Sequence, residues 1–295
     1  MKKKFICLVA FVSIFATGCK KDSMDVITIY TTTYHIEYIT NALYGENSEI
    51  YSIYPNEVIE PSEKLLNDYS SADMFVYNGL SVEQNYAVKM LNNNKYLIPV
   101  DAASGIVPEN IDGIEELWLN PSNFLMLCLN IKNNMKRNID NGVLKKQIDT
   151  NYEKLNLEIS ELDAEIKLLI ENADDINLLV SNDALKFLEK KYNDPNKNKK
   201  INVVSLENND NLTNDVMNEA KKLINDKKIK YIIMFRDDVL TDEVEKLITD
   251  NNIEKVYFDP LTTLSSENKA SGKDYISIMN ENLNILRQEL YEEEK

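Results

Sequence analysis

Histidine, cysteine and glycine are scarce in this 295-residue chain, which has 1 histidine, 3 cysteines and 7 glycines. His35 is therefore the only candidate for a mechanism that needs a catalytic imidazole. The chain contains no glycine-rich phosphate loop, G-x-S-x-G elbow, H-E-x-x-H helix or C-x-x-C pair. Glu115 and Glu116 could imitate the acid pair of a hydrolase, but adjacent residues do not place carboxylates across a substrate. The sequence thus favours a protein that is not an enzyme, and a secreted hydrolase is only a third alternative to the two functions developed below.

Positive charge is also in short supply. The chain has 49 acidic residues against 33 lysines and arginines, which gives a net charge of −16 at pH 7. This balance argues against nucleic acid or anionic lipid as a partner, because both carry the same sign of charge. It is compatible with a cationic ligand, although solubility alone would also explain it. Apolar residues make up 43% of the chain, enough for hydrophobic cores in one large domain or two of ordinary size.

The amino terminus has the pattern of a secretory signal. Three lysines at 2–4 precede an apolar run over 5–15 and small residues at 16–18. The run is too short to cross a bilayer as a helix, which needs about 20 residues. Cys19 follows directly and completes a stretch that resembles a bacterial lipobox, which implies lipid on its thiol and cleavage before it. We therefore expect an extracytoplasmic protein, lipid-anchored at the cell membrane; the alternative is an ordinary signal followed by a chance cysteine.

The remaining cysteines support little sulfur chemistry. Cys7 lies in the signal segment and Cys19 takes the lipid, so Cys128 is left alone. An internal disulfide is therefore excluded in the mature chain. Cys128 lies in the apolar stretch FLMLCL and is predicted to be a buried small hydrophobic residue rather than a reactive thiol.

Short apolar runs alternate with helical patterns along the rest of the chain. The first predicted strands are Val26–Tyr30, Ile50–Tyr54, Met74–Tyr77 and Tyr96–Val100. A second set is Ile176–Val180, Ile201–Ser205, Ile229–Met234 and Lys255–Phe258. Helices are predicted at about 35–44, 61–70, 81–93, 121–137, 183–193, 212–227, 239–251 and 274–292. Two such blocks predict two α/β lobes, each with a mostly parallel four-stranded sheet and flanking helices.

A different pattern separates the two blocks. Apolar residues recur at spacings of four and three through Ile148, Tyr152, Leu155, Ile159, Leu162, Ile166 and Leu169. This periodicity predicts one long amphipathic helix, either a coiled-coil segment or, as its position favours, a helix that joins both lobes. The expected organisation is a signal peptide at 1–18, a lipidated tether at 19–25, an N-terminal lobe at 26–142, a linking helix at 143–172 and a C-terminal lobe at 173–295. The cleft between the lobes is the expected binding site, because ligands of open α/β sheets lie beyond the carboxyl ends of the strands.

Several segments, in order from about 28 to 290, resemble a single family. The stretch at 72–83, ADMFVYNGLSVE, is similar to the family's Ala-Asp-Leu-Val-Val-Tyr-Asn-Gly-Leu-Gly-Leu-Glu. Further matches are TTYHI at 32–36, EPS at 60–62, LWLNP at 117–121, SNDA at 181–184, FDPL at 258–261 and YISIMNENLNIL at 275–286. On these residues the chain resembles the metal-binding solute-binding proteins of zinc and manganese ABC transporters. The resemblance implies a monomeric receptor whose partner is an ABC permease.

The family holds its metal with two histidines of the first lobe, a histidine or carboxylate of the second, and a final aspartate. The resemblance places these ligands at Glu57, Glu116, Asn182 and Asp259. Only the aspartate is kept, and both first-lobe histidines are glutamates here. His35, where the family usually has proline, is either an additional nitrogen ligand or a surface histidine. Without the resemblance, Glu57 and Glu116 would be ordinary loop acids. Asn182 would then be a helix cap and Asp259 a turn residue.

Three carboxylates and one amide oxygen would make an all-oxygen site. Oxygen ligands suit Mn²⁺, Ca²⁺ or Mg²⁺ better than Zn²⁺, which favours nitrogen and sulfur. Since the family carries zinc or manganese, the expected cargo is Mn²⁺ or Zn²⁺, with Ca²⁺ or Fe²⁺ as further options. Two parallel changes from histidine to glutamate favour retained coordination, because carboxylates remain metal ligands. The alternative is a degenerate receptor of the same fold that acts as an adhesin or binds a non-metal ligand.

The anchor prediction is tested by replacing Cys19 with alanine. The variant should lose lipid labelling and leave the membrane fraction, because Cys19 is the cysteine that directly follows the small residues of the signal. Metabolic labelling with a radioactive fatty acid and fractionation of cells measure both effects. Lipid labelling that persists in Cys19→Ala would contradict the prediction.

Overall fold

The computed structural model describes residues 27–45, 48–107, 114–194, 196 and 200–291. The signal segment, Cys19 and the tether lie outside these ranges, so the predictions made for them stay predictions. Within the described part of the chain, no helix combines the length and the apolar run needed to cross a membrane.

The first lobe is built on a parallel sheet with the strand order β2-β1-β3-β4. Its strands are β1 (Thr28–Thr31), β2 (Glu49–Ser52), β3 (Met74–Tyr77) and β4 (Ile98–Asp101). Its helices are α1 (Tyr34–Tyr44), α2 (Glu63–Tyr69), α3 (Glu83–Asn93), α4 (Glu116–Leu119) and α5 (Pro121–Asn138). The first three residues of β3 are buried, as expected for an inner strand of a parallel sheet covered on both faces.

The second lobe repeats this topology with the order β6-β5-β7-β8. Its strands are β5 (Asn177–Val180), β6 (Asn202–Ser205), β7 (Tyr231–Met234) and β8 (Glu254–Tyr257). A 3₁₀ turn (Asp183–Lys186) precedes the helices α7 (Phe187–Tyr192), α8 (Asn214–Asn225), α9 (Asp242–Asp250), α10 (Ser266–Ala270) and α11 (Tyr275–Leu290). In each lobe the strand order reverses beside the first strand, and the loops that leave the carboxyl ends there are placed to hold a ligand.

One helix, α6 (Gly142–Asn172), joins the lobes. Asn141 caps its first turn by accepting hydrogen bonds from the backbone N–H groups of Val143 and Leu144. The helix packs against α1 and α5 of the first lobe and against α11 of the second. Its buried apolar residues belong to one continuous core that extends into both lobes. The predicted fold class is therefore confirmed, and the helix joins the lobes rather than forming a coiled coil.

The structure differs from the predicted elements mainly where segments are short. The predicted helix at 183–193 is split into the 3₁₀ turn and α7, a distinction that apolar spacing cannot make over one turn. The helices α4 and α10, with 4 and 5 residues, were not predicted because they are too short to show a period. The prediction for Cys128 is confirmed, since its side chain is fully buried in the first lobe.

A substitution at Gly79 tests how tightly the loop after β3 packs against Asp101. Its backbone N–H donates to Asp101 Oδ1 at 3.0 Å, and a Cβ at this position would lie 2.2 Å from Asp101 Oδ2. Gly79→Ala should therefore lower the free energy of unfolding by about 1–3 kcal/mol, as overpacking does elsewhere. Gly142→Ala is the matched control, because a Cβ there meets no atom within 4 Å. Urea denaturation should show the control unchanged or up to about 1 kcal/mol more stable; equal stability of the two variants would contradict the prediction.

Candidate functional site

A cleft of about 1050 Å³ opens between the two lobes. The first lobe contributes Glu115 and the exposed segment 56–58 to its wall. The second lobe contributes Asn182 after β5, residues 235–238 after β7, and a longer wall that begins at Tyr257, the last residue of β8. These segments follow the carboxyl ends of strands, where ligands of open α/β sheets bind.

Three of the four predicted metal ligands line this cleft, namely Glu57, Asn182 and Asp259. Glu116 is the first residue of α4, and its side chain lies outside the described part of the structure; its neighbour Glu115 lines the cleft. Among the side chains that the structure describes, no three histidines, cysteines, aspartates or glutamates lie close enough to hold a metal ion. The fold therefore brings oxygen donors to one cleft without assembling a closed coordination shell.

Asn182 is also the cap that the alternative interpretation expects. Its Oδ1 accepts from the backbone N–H of Ala184 at 2.9 Å, and its Nδ2 lies 3.4 Å from Asp238 Oδ1. Asp238 is itself held by the Ser181 hydroxyl and by the backbone N–H of Phe235. These contacts orient the Asn182 carboxamide, whose oxygen keeps a second lone pair for a cation.

Asp259 occupies the predicted turn, and its carboxylate is held from two sides. Its Oδ1 accepts from the backbone N–H of Leu261 at 2.9 Å, and its Oδ2 accepts from Asn268 Nδ2 at 3.3 Å. Burial raises the pKa of the Asp259 carboxyl, while the hydrogen bond from Leu261 and the nearby Arg236 guanidinium act in the opposite direction. A metal ion must bind the deprotonated form, so low pH should weaken any coordination by this carboxylate.

His35 is buried, and the expectation of a surface histidine is wrong. Its ring is 1% exposed and stacks on the Trp118 indole, with centroids 3.9 Å apart and planes 11° from parallel. Nε2 lies 3.1 Å from the Thr33 hydroxyl. Burial lowers the pKa of His35 to about 3. The ring is not among the side chains that line the cleft.

Trp118 is a residue whose role the sequence alone did not reveal. Its indole N–H donates to the carbonyl of Pro260 at 2.5 Å, next to Asp259 in the second lobe. The Tyr275 hydroxyl of α11 donates to the Trp118 carbonyl, and the backbone N–H of Tyr34 donates to the carbonyl of Thr262 at 2.9 Å. The available signal was that the single tryptophan of the chain lies two residues after Glu116, one of the candidate ligands. The first lobe thus holds the loop that carries a predicted ligand of the second.

Two α/β lobes that face each other across a polar cleft form the architecture of solute-binding proteins. Residues 29–289 match the family model described as zinc-uptake complex component A, periplasmic, and the chain belongs to this family. It is a family of ABC-transporter substrate-binding proteins and not of enzymes, which confirms the expectation drawn from the missing catalytic motifs.

Curated relatives and a solved structure agree with this assignment. The chain is 24% identical to the manganese ABC transporter substrate-binding lipoprotein scaA of Streptococcus gordonii, over 97% of both chains. It is 21% identical to the zinc-binding protein AdcA of Streptococcus pyogenes over 97% of this chain, but it spans only 61% of that longer protein. The Zn(II)-bound ZnuA-like domain of Streptococcus pneumoniae AdcA shares the fold with a TM-score of 0.70 at 20% identity, over 90% of this chain and 100% of the domain.

The burial of His35 predicts a pH dependence of stability. The unfolded chain takes up a proton near the ordinary pKa of 6.5, whereas the folded chain does so only near 3. The contribution of neutral His35 is therefore complete above pH 6.5 and is lost as the pH falls toward 3, by an amount on the order of 4 kcal/mol. His35→Phe keeps an aromatic ring against Trp118 and should show a shallower loss over this range. Urea denaturation at a series of pH values measures the difference, and parallel curves would contradict the prediction.

Proposed function

We propose that this protein is an extracytoplasmic receptor that captures a divalent metal cation between its lobes and delivers it to an ABC permease. The observation that carries the proposal is that Glu57, Asn182 and Asp259 line one cleft although they come from three distant segments. These are the positions at which family resemblance places metal ligands. Membership of a zinc-uptake family supports the same function.

The ligand set that we propose is Glu57, Glu116, Asn182 and Asp259. Glu57 lies on an exposed segment, whereas Asp259 is half-buried and held by hydrogen bonds. Binding would therefore draw the acids of the first lobe toward Asp259 and Asn182, with the cation offsetting the repulsion between carboxylates. His35 is left out of the set because its ring stacks on Trp118 and is not part of the cleft wall.

The second lobe already contacts the segment that carries Glu57. Lys269 on α10 donates from Nζ to the carbonyl of Pro55 at 2.5 Å, across the cleft from its own lobe. Glu57 lies only two residues farther along the chain. Closure by movement of this exposed segment, rather than of whole lobes, agrees with the continuous core that α6 provides between the lobes.

The donor chemistry favours Mn²⁺ over Zn²⁺ as the cargo. Carboxylate and amide oxygens are ligands that suit Mn²⁺, whereas Zn²⁺ sites in proteins are dominated by nitrogen and sulfur. Relatives named for manganese and for zinc both resemble this chain, so Zn²⁺ is the first competitor to test, followed by Ca²⁺ and Fe²⁺. In the proposed setting the receptor works as a monomer, held near its permease by the lipid on Cys19.

The proposal is tested by metal analysis and calorimetry on the mature protein after treatment with a chelator. Wild type should bind Mn²⁺ or Zn²⁺ with a stoichiometry of one. Glu57→Gln and Asp259→Asn should each weaken binding by at least about 100-fold, the upper end of what the loss of an outer-shell partner costs. Glu153→Gln is the matched control, because Glu153 is an exposed acid on α6 outside the cleft wall.

Absence of binding across Mn²⁺, Zn²⁺, Ca²⁺ and Fe²⁺ would overturn the proposal and favour the degenerate receptor or adhesin. Tight binding that is unchanged in both cleft variants would support a metal receptor but refute the proposed ligand set. Equal weakening in Glu153→Gln would show that the effect comes from net charge rather than coordination.

A further inference from the structure

We propose that Asn282 is a positioning residue for Asp259, which it holds in place by binding the peptide groups on both sides of that ligand. This inference rests on the proposed function, since it concerns how one of the proposed ligands is oriented. Asn282 is neither a charged residue nor one of the four positions at which the family resemblance places a metal ligand.

The contact involves both polar groups of one side chain. Asn282 Oδ1 accepts from the backbone N–H of Asp259 at 2.9 Å, and Asn282 Nδ2 donates to the Asp259 carbonyl at 2.9 Å. The N–H and the carbonyl belong to the peptide planes that precede and follow the Asp259 Cα. Fixing both planes fixes the two backbone dihedrals of Asp259, and these determine the direction in which its side chain leaves the backbone.

The placement of Asn282 has no other evident explanation in the fold. Asparagine is a weak helix former, yet Asn282 lies inside α11 between buried apolar neighbours such as Met279 and Leu283. Its side chain is 1% exposed, and a buried carboxamide is costly unless it is hydrogen-bonded. The backbone of Asp259 supplies the two strong partners, and the sulfur of Met279 at 3.7 Å is the third.

The loop that follows Asp259 needs such support. Leu261 adopts a φ of +55°, in the left-handed region that residues other than glycine rarely occupy. Trp118 and Tyr34 of the first lobe hold the carbonyls of Pro260 and Thr262, one on each side of Leu261. Asn282 binds the backbone of Asp259, which directly precedes Pro260. The loop is thus fixed by both lobes, and the bonds at Asp259 come from α11.

The experiment compares the affinity of Asn282→Ala with that of wild type by calorimetry with Mn²⁺ and with Zn²⁺. We expect affinity to fall by about 10-fold or more, in the range found when groups that support a metal ligand are removed. Asn151→Ala is the matched control: its Nδ2 donates to the Leu43 carbonyl at 2.9 Å, joining distant segments away from the cleft. The control should lower the melting temperature without changing affinity.

A double-mutant cycle separates positioning from general stability. If Asn282 acts through Asp259, the loss caused by Asn282→Ala should shrink toward zero in an Asp259→Asn background. Emission from Trp118, the single tryptophan of the chain, gives an independent titration signal because its indole is bonded to Pro260. If Asn282→Ala does not fold, Asn282→Ser replaces it, since a hydroxyl cannot span both peptide groups.

The outcomes distinguish this inference from the proposed function. Wild-type binding with an unchanged affinity in a folded Asn282 variant would overturn the role of Asn282 alone. An undiminished loss in the Asp259→Asn background would also overturn it, because the effect would then not pass through Asp259. Failure of wild type to bind any of the metals would overturn the proposed function and, with it, this inference.

Discussion

The contact between Trp118 and the loop at 259–262 is the interaction on which the geometry of the cleft depends. The indole N–H binds the carbonyl of Pro260, while the ring face stacks on His35 inside the first lobe. Aromatic stacking of this kind contributes about 0.5–1.5 kcal/mol beyond the burial of area. The contact joins the lobes next to Asp259, the one position at which the chain keeps the ligand residue that the family resemblance implies.

The rest of the architecture follows from this contact and from α6. The helix carries one hydrophobic core through both lobes, so a wide hinge motion would separate buried apolar side chains. Asp259 is held by the backbone of its own turn, by Asn268 and by Asn282. The segment around Glu57, on the opposite wall of the cleft, is exposed and therefore less constrained. The cleft therefore combines a fixed carboxylate on one side with an adjustable acid on the other, an arrangement that suits the proposed capture of a small cation.

Long periodic segments and buried strands were predictable from the sequence. Short elements, and the residues that each side chain contacts, were not. The spacing of Ile148, Leu155 and Leu162 revealed α6 because a helix of this length repeats its apolar face many times. The site was predictable only by position: three ligand candidates reached the same cleft, but Asn182 also proved to be a cap and Asp259 a turn residue. His35 was misjudged because a lone histidine beside a helix start gives no sign of a tryptophan that lies 83 positions away along the chain.

By itself, the sequence determined the two α/β blocks, the linking helix and the oxygen chemistry of the candidate ligands, since these depend on local periodicity and on residue type. Only the tertiary structure decided which groups meet. The strand order brings the loops after β5, β7 and β8 to one edge. Packing within the first lobe buries His35 against Trp118, and packing within the second lobe places Asn282 against Asp259. Such contacts join residues that are far apart in the chain, and their formation depends on the packing of both lobes rather than on any local pattern.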